Sequence, residues 1–198
     1  MTKTNRQLTT ALALACTLAI AAPDLGGAQP AATSLTGASG SGFHADFEVD
    51  PTAYIFQGHS LHVGLGWKKL RLDLGAFALA LPDALTGNDD FSVAFDGYGV
   101  KLQYFPFAEQ RGAFVGVDAG VARPFVRRKG TDLASRRTEY SAGVNFGWRF
   151  VFFERFYATT WLGLSRTLAR APVTLAGSTY EGNPITIFPA VHLGYRFQ

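Results

Sequence analysis

Ionisable side chains recur at every second position in several parts of this 198-residue sequence. His44, Asp46 and Glu48 form one such series, and Arg71 and Asp73 begin another. Alternate residues of a β-strand share a face, so each series predicts a polar strand face. Acids and bases on one enclosed face can pair and hydrogen-bond, which makes buried charge tolerable. We therefore predict an internal polar network made of His44, Asp46, Glu48, His62, Arg71, Asp73, Lys101, Asp118, Glu139, Arg149, His192 and Arg196.

Histidines in this set raise two chemical possibilities. His44, His62 and His192 would meet if the first, second and last strands are neighbours, and three imidazoles can hold zinc. No spacing in the sequence enforces that arrangement, and a hydrogen-bonded plug is the alternative, so we predict no metal and no cofactor. Ser60 lies two residues before His62, with Glu48 as the candidate acid across the strands, but nucleophilic catalysis also needs an oriented base within reach.

Basic residues concentrate in the second half of the chain. Arginine binds phosphate well through paired, charge-assisted hydrogen bonds, so a cluster of arginines predicts contact with a phosphate-rich surface. Ordinary solvated loop charge is the alternative interpretation. The predicted contact residues are Arg123, Arg127, Arg128, Lys129, Arg136, Arg137, Arg166 and Arg170.

The elements that carry these residues are strands. Hydrophobic residues make up 47% of the chain and charged residues only 17%, which suggests that part of the surface does not face water. Period-two alternation is clearest from Thr138 to Phe150, where one face is entirely apolar. We predict eight antiparallel strands, several of them long enough to cross a bilayer, at about 43–56, 59–67, 69–81, 92–105, 112–126, 137–151, 155–168 and 184–197.

The connections alternate between short and long, as an up-and-down barrel with two unlike ends requires. Turns near residues 67–69, 106–111 and 153–155 are short, whereas the loops at 82–91, 127–136 and 169–183 are long and polar. Three acids in the first long loop fit a polar turn better than a weak calcium site. Aromatic residues gather beside the short turns, as at a membrane interface, which disfavours a soluble sandwich or a lipocalin-like barrel. They are Trp67, Tyr104, Phe105, Phe107, Phe114, Trp148, Phe150, Phe152, Phe153, Phe156, Tyr157, Tyr195 and Phe197.

Export is predicted from the N-terminus. Lys3 and Arg6 precede an apolar run from Leu8 to Ala22 that is too short for a membrane-spanning helix. We predict a signal peptide at 1–28, cleaved near residue 22 or 28, then a flexible linker at 29–42 and the barrel at 43–198. The only cysteine, Cys16, lies inside the apolar run, so the mature chain has no disulfide; acylation of Cys16 is the less favoured alternative.

Val191, Leu193, Tyr195 and Phe197 alternate at the C-terminus. This series is similar to the terminal signal that the barrel-assembly machinery recognises, with Gln198 following the usual final phenylalanine. With the signal peptide and the strand pattern, the chain resembles the small outer-membrane barrel superfamily that includes the OmpA membrane domain, OmpX and OmpW. The resemblance implies both termini in the periplasm and long loops outside the cell, but no single activity.

We therefore predict a monomeric, non-enzymatic barrel of the Gram-negative outer membrane, whose basic loops contact lipopolysaccharide and which binds no nucleic acid. A narrow channel for small solutes is the second hypothesis. A lipid-modifying enzyme is the third, and it fits poorly with the lipid A deacylases, in which histidine precedes serine and the catalytic group faces lipid.

Overall fold

The computed structural model describes residues 42–83, 88–169 and 171–197, so the predicted signal peptide and the linker up to residue 41 lie outside it. No helix in these ranges is long and apolar enough to cross a membrane. The elements are, in chain order, β1 Phe43–Val49, α1 Pro51–Ile55, β2 His59–Trp67, β3 Leu70–Leu81, β4 Phe91–Tyr104, β5 Gly112–Arg128, β6 Ala134–Arg136, β7 Glu139–Phe152, β8 Phe156–Thr167, β9 Val173–Leu175, β10 Ser178–Tyr180 and β11 Ile185–Arg196.

Eight of these strands form a closed antiparallel barrel. Each pairs with the next in the order β1, β2, β3, β4, β5, β7, β8 and β11, and β11 returns to pair with β1. The stagger can be followed through the paired residues His44, Gly66, Arg71, Gln103, Gly116, Asn145, Gly163 and Phe188. If the register between β11 and β1 is extended past the paired residues, Phe188 lies opposite position 54. This position is ten residues beyond His44, where the series began, so one circuit of the barrel shifts the register by ten residues. Eight strands with this stagger tilt by about 40° to the barrel axis. The predicted eight-stranded barrel is confirmed.

The barrel is apolar outside and polar inside, the reverse of a soluble protein. Every second residue of β2 is buried, beginning with Ser60 and His62, and the residues between them are exposed. Leu61, Val63 and Leu65 therefore cover the outside of that strand, and Val115 and Val117 do the same on β5. With no water on the outer face, a closed set of strands is the β-structure that satisfies every backbone hydrogen bond.

The first strand is shorter than predicted and ends at Val49, because local chemistry starts a helix there. The Asp50 carboxylate accepts a hydrogen bond from the Thr52 backbone nitrogen at 2.8 Å and caps α1. Pro51 has no backbone N–H to offer a strand and suits the first turn of a helix. The prediction of a strand over residues 43–56 was wrong in its second half, from residue 50 onward.

This early end leaves a gap in the barrel wall. Within the described chain, residues 185–192 of β11 pair with β8 but not with β1, and residues 79–81 of β3 pair with β4 but not with β2. The helix α1 contacts β2, β3 and β11 and fills the space between them. The Ala80 backbone nitrogen donates to the Phe56 carbonyl at 3.1 Å, so the end of α1 is fixed to the neighbouring strand.

Aromatic residues ring the end of the barrel that carries the short turns. Outside the wall, Phe43 stacks on Trp67 with centroids 5.8 Å apart, and Phe156 meets Tyr195 edge-on at 4.9 Å. Three residues predicted for this ring face the lumen instead: Phe105, Phe114 and Tyr157 are buried inside. Each of these three residues is next in sequence to a residue that faces outward. The alternation of the strand therefore predicts that all three face inward.

The opposite end is closed by apolar side chains. Inward-facing Phe91 and Val93 of β4 and Val126 of β5 pack against Val173 and Tyr180 of the β9–β10 hairpin. Burial in this cluster raises the pKa of the Tyr180 hydroxyl. The long loop between β8 and β11 therefore folds back against the outer ends of β4 and β5.

Candidate functional site: the lumen network and the outer arginine surface

Arg71 is the centre of the lumen network. Its Nη2 lies 2.6 Å from Asp46 Oδ1 and 3.2 Å from Glu48 Oε1, and its Nη1 lies 2.9 Å from Asp73 Oδ2. Nη1 also donates to the Gln103 amide oxygen at 3.0 Å. All five side chains are buried. Three carboxylates, two from β1 and one from β3, thus share one guanidinium, and further cations are needed to balance them.

Glu48 has two further partners, Arg149 on β7 and His192 on the adjacent strand β11. Arg149 Nη2 donates to Glu48 Oε1 at 2.9 Å, and His192 Nδ1 lies 2.9 Å from Glu48 Oε2. The Trp161 indole nitrogen, which can only donate, lies 3.2 Å from His192 Nε2. His192 Nε2 is therefore an acceptor, and the ring proton sits on Nδ1, where it is donated to Glu48.

Asp73 organises the second histidine in the same way. Lys101 Nζ donates to Asp73 Oδ1 at 2.9 Å, and His62 Nδ1 lies 2.8 Å from the same oxygen. A carboxylate between Arg71 and Lys101 is ionised and only accepts, so His62 Nδ1 carries its proton and donates it to Asp73. The other ring nitrogen, His62 Nε2, lies 3.0 Å from Ser60 Oγ and accepts the hydroxyl proton. Ser60, His62 and Asp73 thus form a continuous hydrogen-bonded series.

Glycines on the inner face make room for these long side chains. A Cβ at Gly64 would lie 2.2 Å from Asp46 Oδ1, and one at Gly75 would lie 2.3 Å from His62 Cε1. Contacts this short do not occur between real atoms, so only glycine permits the close approach. These inward-facing glycines therefore lie where long polar side chains from neighbouring strands pass close to the backbone.

A smaller polar group lies elsewhere in the lumen. Asp118 accepts hydrogen bonds from Asn145 Nδ2 at 3.1 Å and from Ser165 Oγ at 3.0 Å. Asp118 is partly exposed, unlike the carboxylates around Arg71. Glu139 also faces inward but pairs with Arg137 at 2.6 Å.

Aromatic rings close the lumen at the end with the short turns. The Arg149 guanidinium lies 4.2 Å from the Tyr157 ring centroid and 5.1 Å from that of Phe105, which packs on Phe114 at 5.2 Å. Arg196 Nη2 donates to the Gln110 carbonyl at 3.4 Å at the same end. The charged network therefore lies between these aromatic rings, at the end with the short turns, and the apolar cluster of Phe91, Val93, Val126, Val173 and Tyr180 at the opposite end.

The predicted lumen residues all face inward, but their partners differ from those expected. Glu48, the acid expected beside Ser60 and His62, bonds His192 instead, and Asp73 takes its place. The sequence could not show this because the assignment depends on register between strands. Trp161, Thr159 and Tyr157 belong to the network and were missed, although alternation along β8 places all three on the inner face.

The three histidines considered as an alternative zinc site are not brought together. His62 and His192 are adjacent, with ring centroids 4.6 Å apart, but all four of their nitrogens have other hydrogen-bonding partners. His44 lies next to Gly66 and Gln110. Among the described residues, no group of three or more His, Cys, Asp or Glu side chains is placed to hold a metal ion.

Most of the predicted phosphate-binding cations already have internal partners. Arg128 pairs with Asp90 at 2.6 Å, Lys129 with Asp83 at 2.7 Å, and Arg137 with Glu139. Arg123 and Arg136 share Asp96, a residue that the sequence-based prediction omitted. No ion pair involving Arg127 or Arg166 is found in the described part of the chain, and both are exposed. Arg170 lies outside the described residues.

Arg127 and Arg136 sit on one aromatic ring. Their guanidinium carbons lie 5.5 and 5.9 Å from the centroid of Phe125, which faces outward between Arg123 and Arg127 on β5. We call Arg123, Phe125, Arg127, Arg136 and Asp96 the arginine surface. It holds three arginines and one aspartate, which leaves an excess of two positive charges on the outer face of the barrel.

No protein-family model and no curated protein matches the sequence. The N-terminal β-barrel domain of Pseudomonas aeruginosa OprF is 14% identical, with a TM-score of 0.44 over 78% of this chain and 97% of that chain. Neisserial surface protein A is 15% identical, with a TM-score of 0.46 over 79% of this chain and 96% of that one. These are distant likenesses of fold, and the barrel described above rests on the strand pairing of this chain itself.

Proposed function

We propose that this chain is an integral protein of the bacterial outer membrane with a structural or interaction role. Its arginine surface binds the phosphates of lipopolysaccharide. The observation that carries the proposal is the reversed polarity of the barrel, with paired charges inside and apolar side chains outside. Leu74, Val117 and Phe146, from three different strands, are each about half exposed, at 51%, 56% and 51%. A face of this kind is stable in lipid and unstable in water.

The lumen supports a structural role over a channel. An eight-stranded barrel is just wide enough for its own side chains to fill the interior. Arg149 pairs with Glu48 across the lumen, Arg71 and Lys101 pair with Asp73, and aromatic or apolar residues lie at both ends of the network. Buried ions in such a network hold one another in place because separating them leaves charge without compensation.

The arginine surface supports lipopolysaccharide as the partner. The stacking of Arg127 and Arg136 on Phe125 orients both guanidinium groups before a ligand arrives. Planar guanidinium groups bind phosphate oxygens in pairs, and one carboxylate among three arginines leaves capacity for a dianion. The outer leaflet of this membrane is rich in such phosphates.

Charge reversal tests this partner. We expect the double variant Arg127→Glu and Arg136→Glu to lose most of the lipopolysaccharide that co-purifies with the folded protein. Lys68→Glu, an exposed cation in the short turn at the other end of the barrel, is the matched control and should retain it. Equal amounts of lipopolysaccharide on wild type and double variant would overturn the proposal.

In the same framework, we propose that the barrel-assembly machinery recognises the end of β11. Val191, Leu193, Tyr195 and Phe197 all lie on its outward face, and the Phe197 backbone nitrogen donates to the Ala45 carbonyl at 2.8 Å. The closing strand therefore presents one continuous apolar row before it joins β1.

A further inference from the structure

The geometry around Ser60 points to a second chemical property of this barrel. We propose that Ser60 is a nucleophile activated by His62 and oriented through Asp73, and that it accepts the acyl group of a carboxylic ester. This activity goes beyond lipopolysaccharide binding and does not depend on the arginine surface.

The three side chains meet the geometric requirement for an activated serine. Ser60 Oγ lies 3.0 Å from His62 Nε2, and His62 Nδ1 lies 2.8 Å from Asp73 Oδ1. A serine is activated when a base can take its proton and a third group orients that base. Here the base has its lone pair on the nitrogen that faces the hydroxyl, since its proton is donated to Asp73.

The surroundings fix this arrangement. Arg71 and Lys101 hold Asp73 from two sides at 2.9 Å each, so the carboxylate cannot turn away from His62. The ring of His192 lies against the ring of His62 with centroids 4.6 Å apart. His192 makes the corresponding bonds to Glu48 and Trp161, but its donor is an indole, which is not a nucleophile. Ser60 is therefore the reactive group of the pair.

Ser60 also lies at the edge of the gap in the wall. It follows His59 at the start of β2, and its carbonyl accepts from the Asp50 backbone nitrogen at 3.3 Å, immediately before α1. Beyond this point the wall between β3 and β11 consists of α1 and no strand. Displacement of this five-residue helix would break the hydrogen bond from the Ala80 nitrogen to the Phe56 carbonyl, and would open a path from the outer surface to Ser60 while the strand pairs of the barrel stay intact.

The outer face of α1 indicates the kind of ester. Tyr54 and Ile55 are 51% and 74% exposed, and Phe56 is exposed beside them. An apolar surface next to the gap favours an ester with a long acyl chain over a short, polar one.

The reaction balances without a cofactor. Ser60 Oγ bonds to the acyl carbon, and its proton passes to His62 Nε2 and then to the departing alcohol oxygen. A water molecule attacks the acyl-serine next, giving its proton to His62 Nε2. Ser60 takes this proton back as the carboxylic acid leaves.

Covalent labelling of the folded full chain in detergent micelles tests the proposal. A long-chain alkyl fluorophosphonate should bond to Ser60 with loss of fluoride, and mass spectrometry of the digested protein should place the adduct on Ser60. Ser60→Ala should abolish labelling, and Asp73→Asn should slow it by up to about 10⁴-fold. Ser165→Ala is the matched control, since Ser165 bonds Asp118 with no histidine between them, and it should label at the wild-type rate.

Hydrolysis of p-nitrophenyl esters gives the second readout, with long acyl chains preferred over acetate. Mapping the adduct on wild type keeps the test decisive even if a variant fails to fold. A folded wild-type protein without an adduct, or with an adduct that persists in Ser60→Ala, would overturn the proposal.

Discussion

His192 donates a hydrogen bond from Nδ1 to Glu48 Oε2 at 2.9 Å, and this contact joins the last strand of the barrel to the first. The backbone ladder between these two strands has four residue pairs, against eleven between β8 and β11. The side chains of Glu48 and its partners therefore reinforce the seam where the barrel closes. The same carboxylate also holds Arg149 of β7.

Neutralising Glu48 should be strongly destabilising. Glu48→Gln leaves Arg149 buried without its counter-charge and weakens the hydrogen bond from His192, and loss of one partner of a buried pair costs about 3–5 kcal/mol. Urea unfolding in lipid vesicles measures the change. Asp118→Asn is the control, because partly exposed Asp118 bonds neutral groups, and it should cost about 1 kcal/mol. Equal losses for the two variants would show that the charge of Glu48 is not what holds the seam.

The free space around two inward-facing glycines predicts that replacement by alanine destabilises the protein at one position and not at the other. Gly75→Ala places a methyl group 2.3 Å from His62 Cε1, and we expect it to cost about 1–3 kcal/mol as His62 is forced from Ser60 and Asp73. Gly99→Ala meets nothing closer than 3.7 Å and should be nearly neutral. Denaturant midpoints of the two variants in the same detergent decide the matter, and a neutral Gly75→Ala would contradict the packing described.

The lumen should not conduct ions. The protein inserted into a planar bilayer should show no steady conductance steps, because the pairs around Arg71 and the residues at both ends fill the interior. Insertion is verified separately by protease protection of the strands. Reproducible single-channel conductance steps from the inserted protein would contradict this prediction and support the channel hypothesis.

Phe125 should contribute to lipopolysaccharide binding although it carries no charge. Phe125→Ala removes the ring beneath Arg127 and Arg136, and the loss of two exposed cation–π contacts should weaken binding by several-fold, from about 0.5–1 kcal/mol each. Titration with purified lipopolysaccharide measures the affinity. Phe107→Ala, at the end with the short turns, is the control and should bind as wild type.

Much of the fold could be predicted because the barrel has one strong periodic signal. β2 has the bounds expected from its alternation, and Arg71, Asp73 and Lys101 lie on the face expected for them. The same alternation predicts that Phe105 and Phe114 face the lumen. The aromatic ring predicted beside the short turns wrongly included both residues.

Two features could not be predicted for physical reasons. The end of β1 is decided by a cap and a proline at Asp50 and Pro51, which interrupt a stretch whose apolar residues suit a strand. The pairing of His62 with Asp73 depends on the register between β2 and β3, and that of His192 with Glu48 depends on the register between β11 and β1. Alternation in a single sequence predicts which face a residue occupies, but it does not predict the partner of that residue on the adjacent strand.

Lipid exposure of single cysteines tests the central claim most directly, that the apolar outer face spans a membrane. With Cys16 replaced by serine, the chain has no other cysteine, so one label can be placed at Val117→Cys and another at Leu133→Cys in the loop between β5 and β7. In vesicles containing brominated lipids, a fluorophore at position 117 should be quenched by the acyl chains and protected from aqueous iodide, with the reverse at position 133. Iodide quenching at position 117 without quenching by the brominated chains would contradict the membrane-spanning barrel.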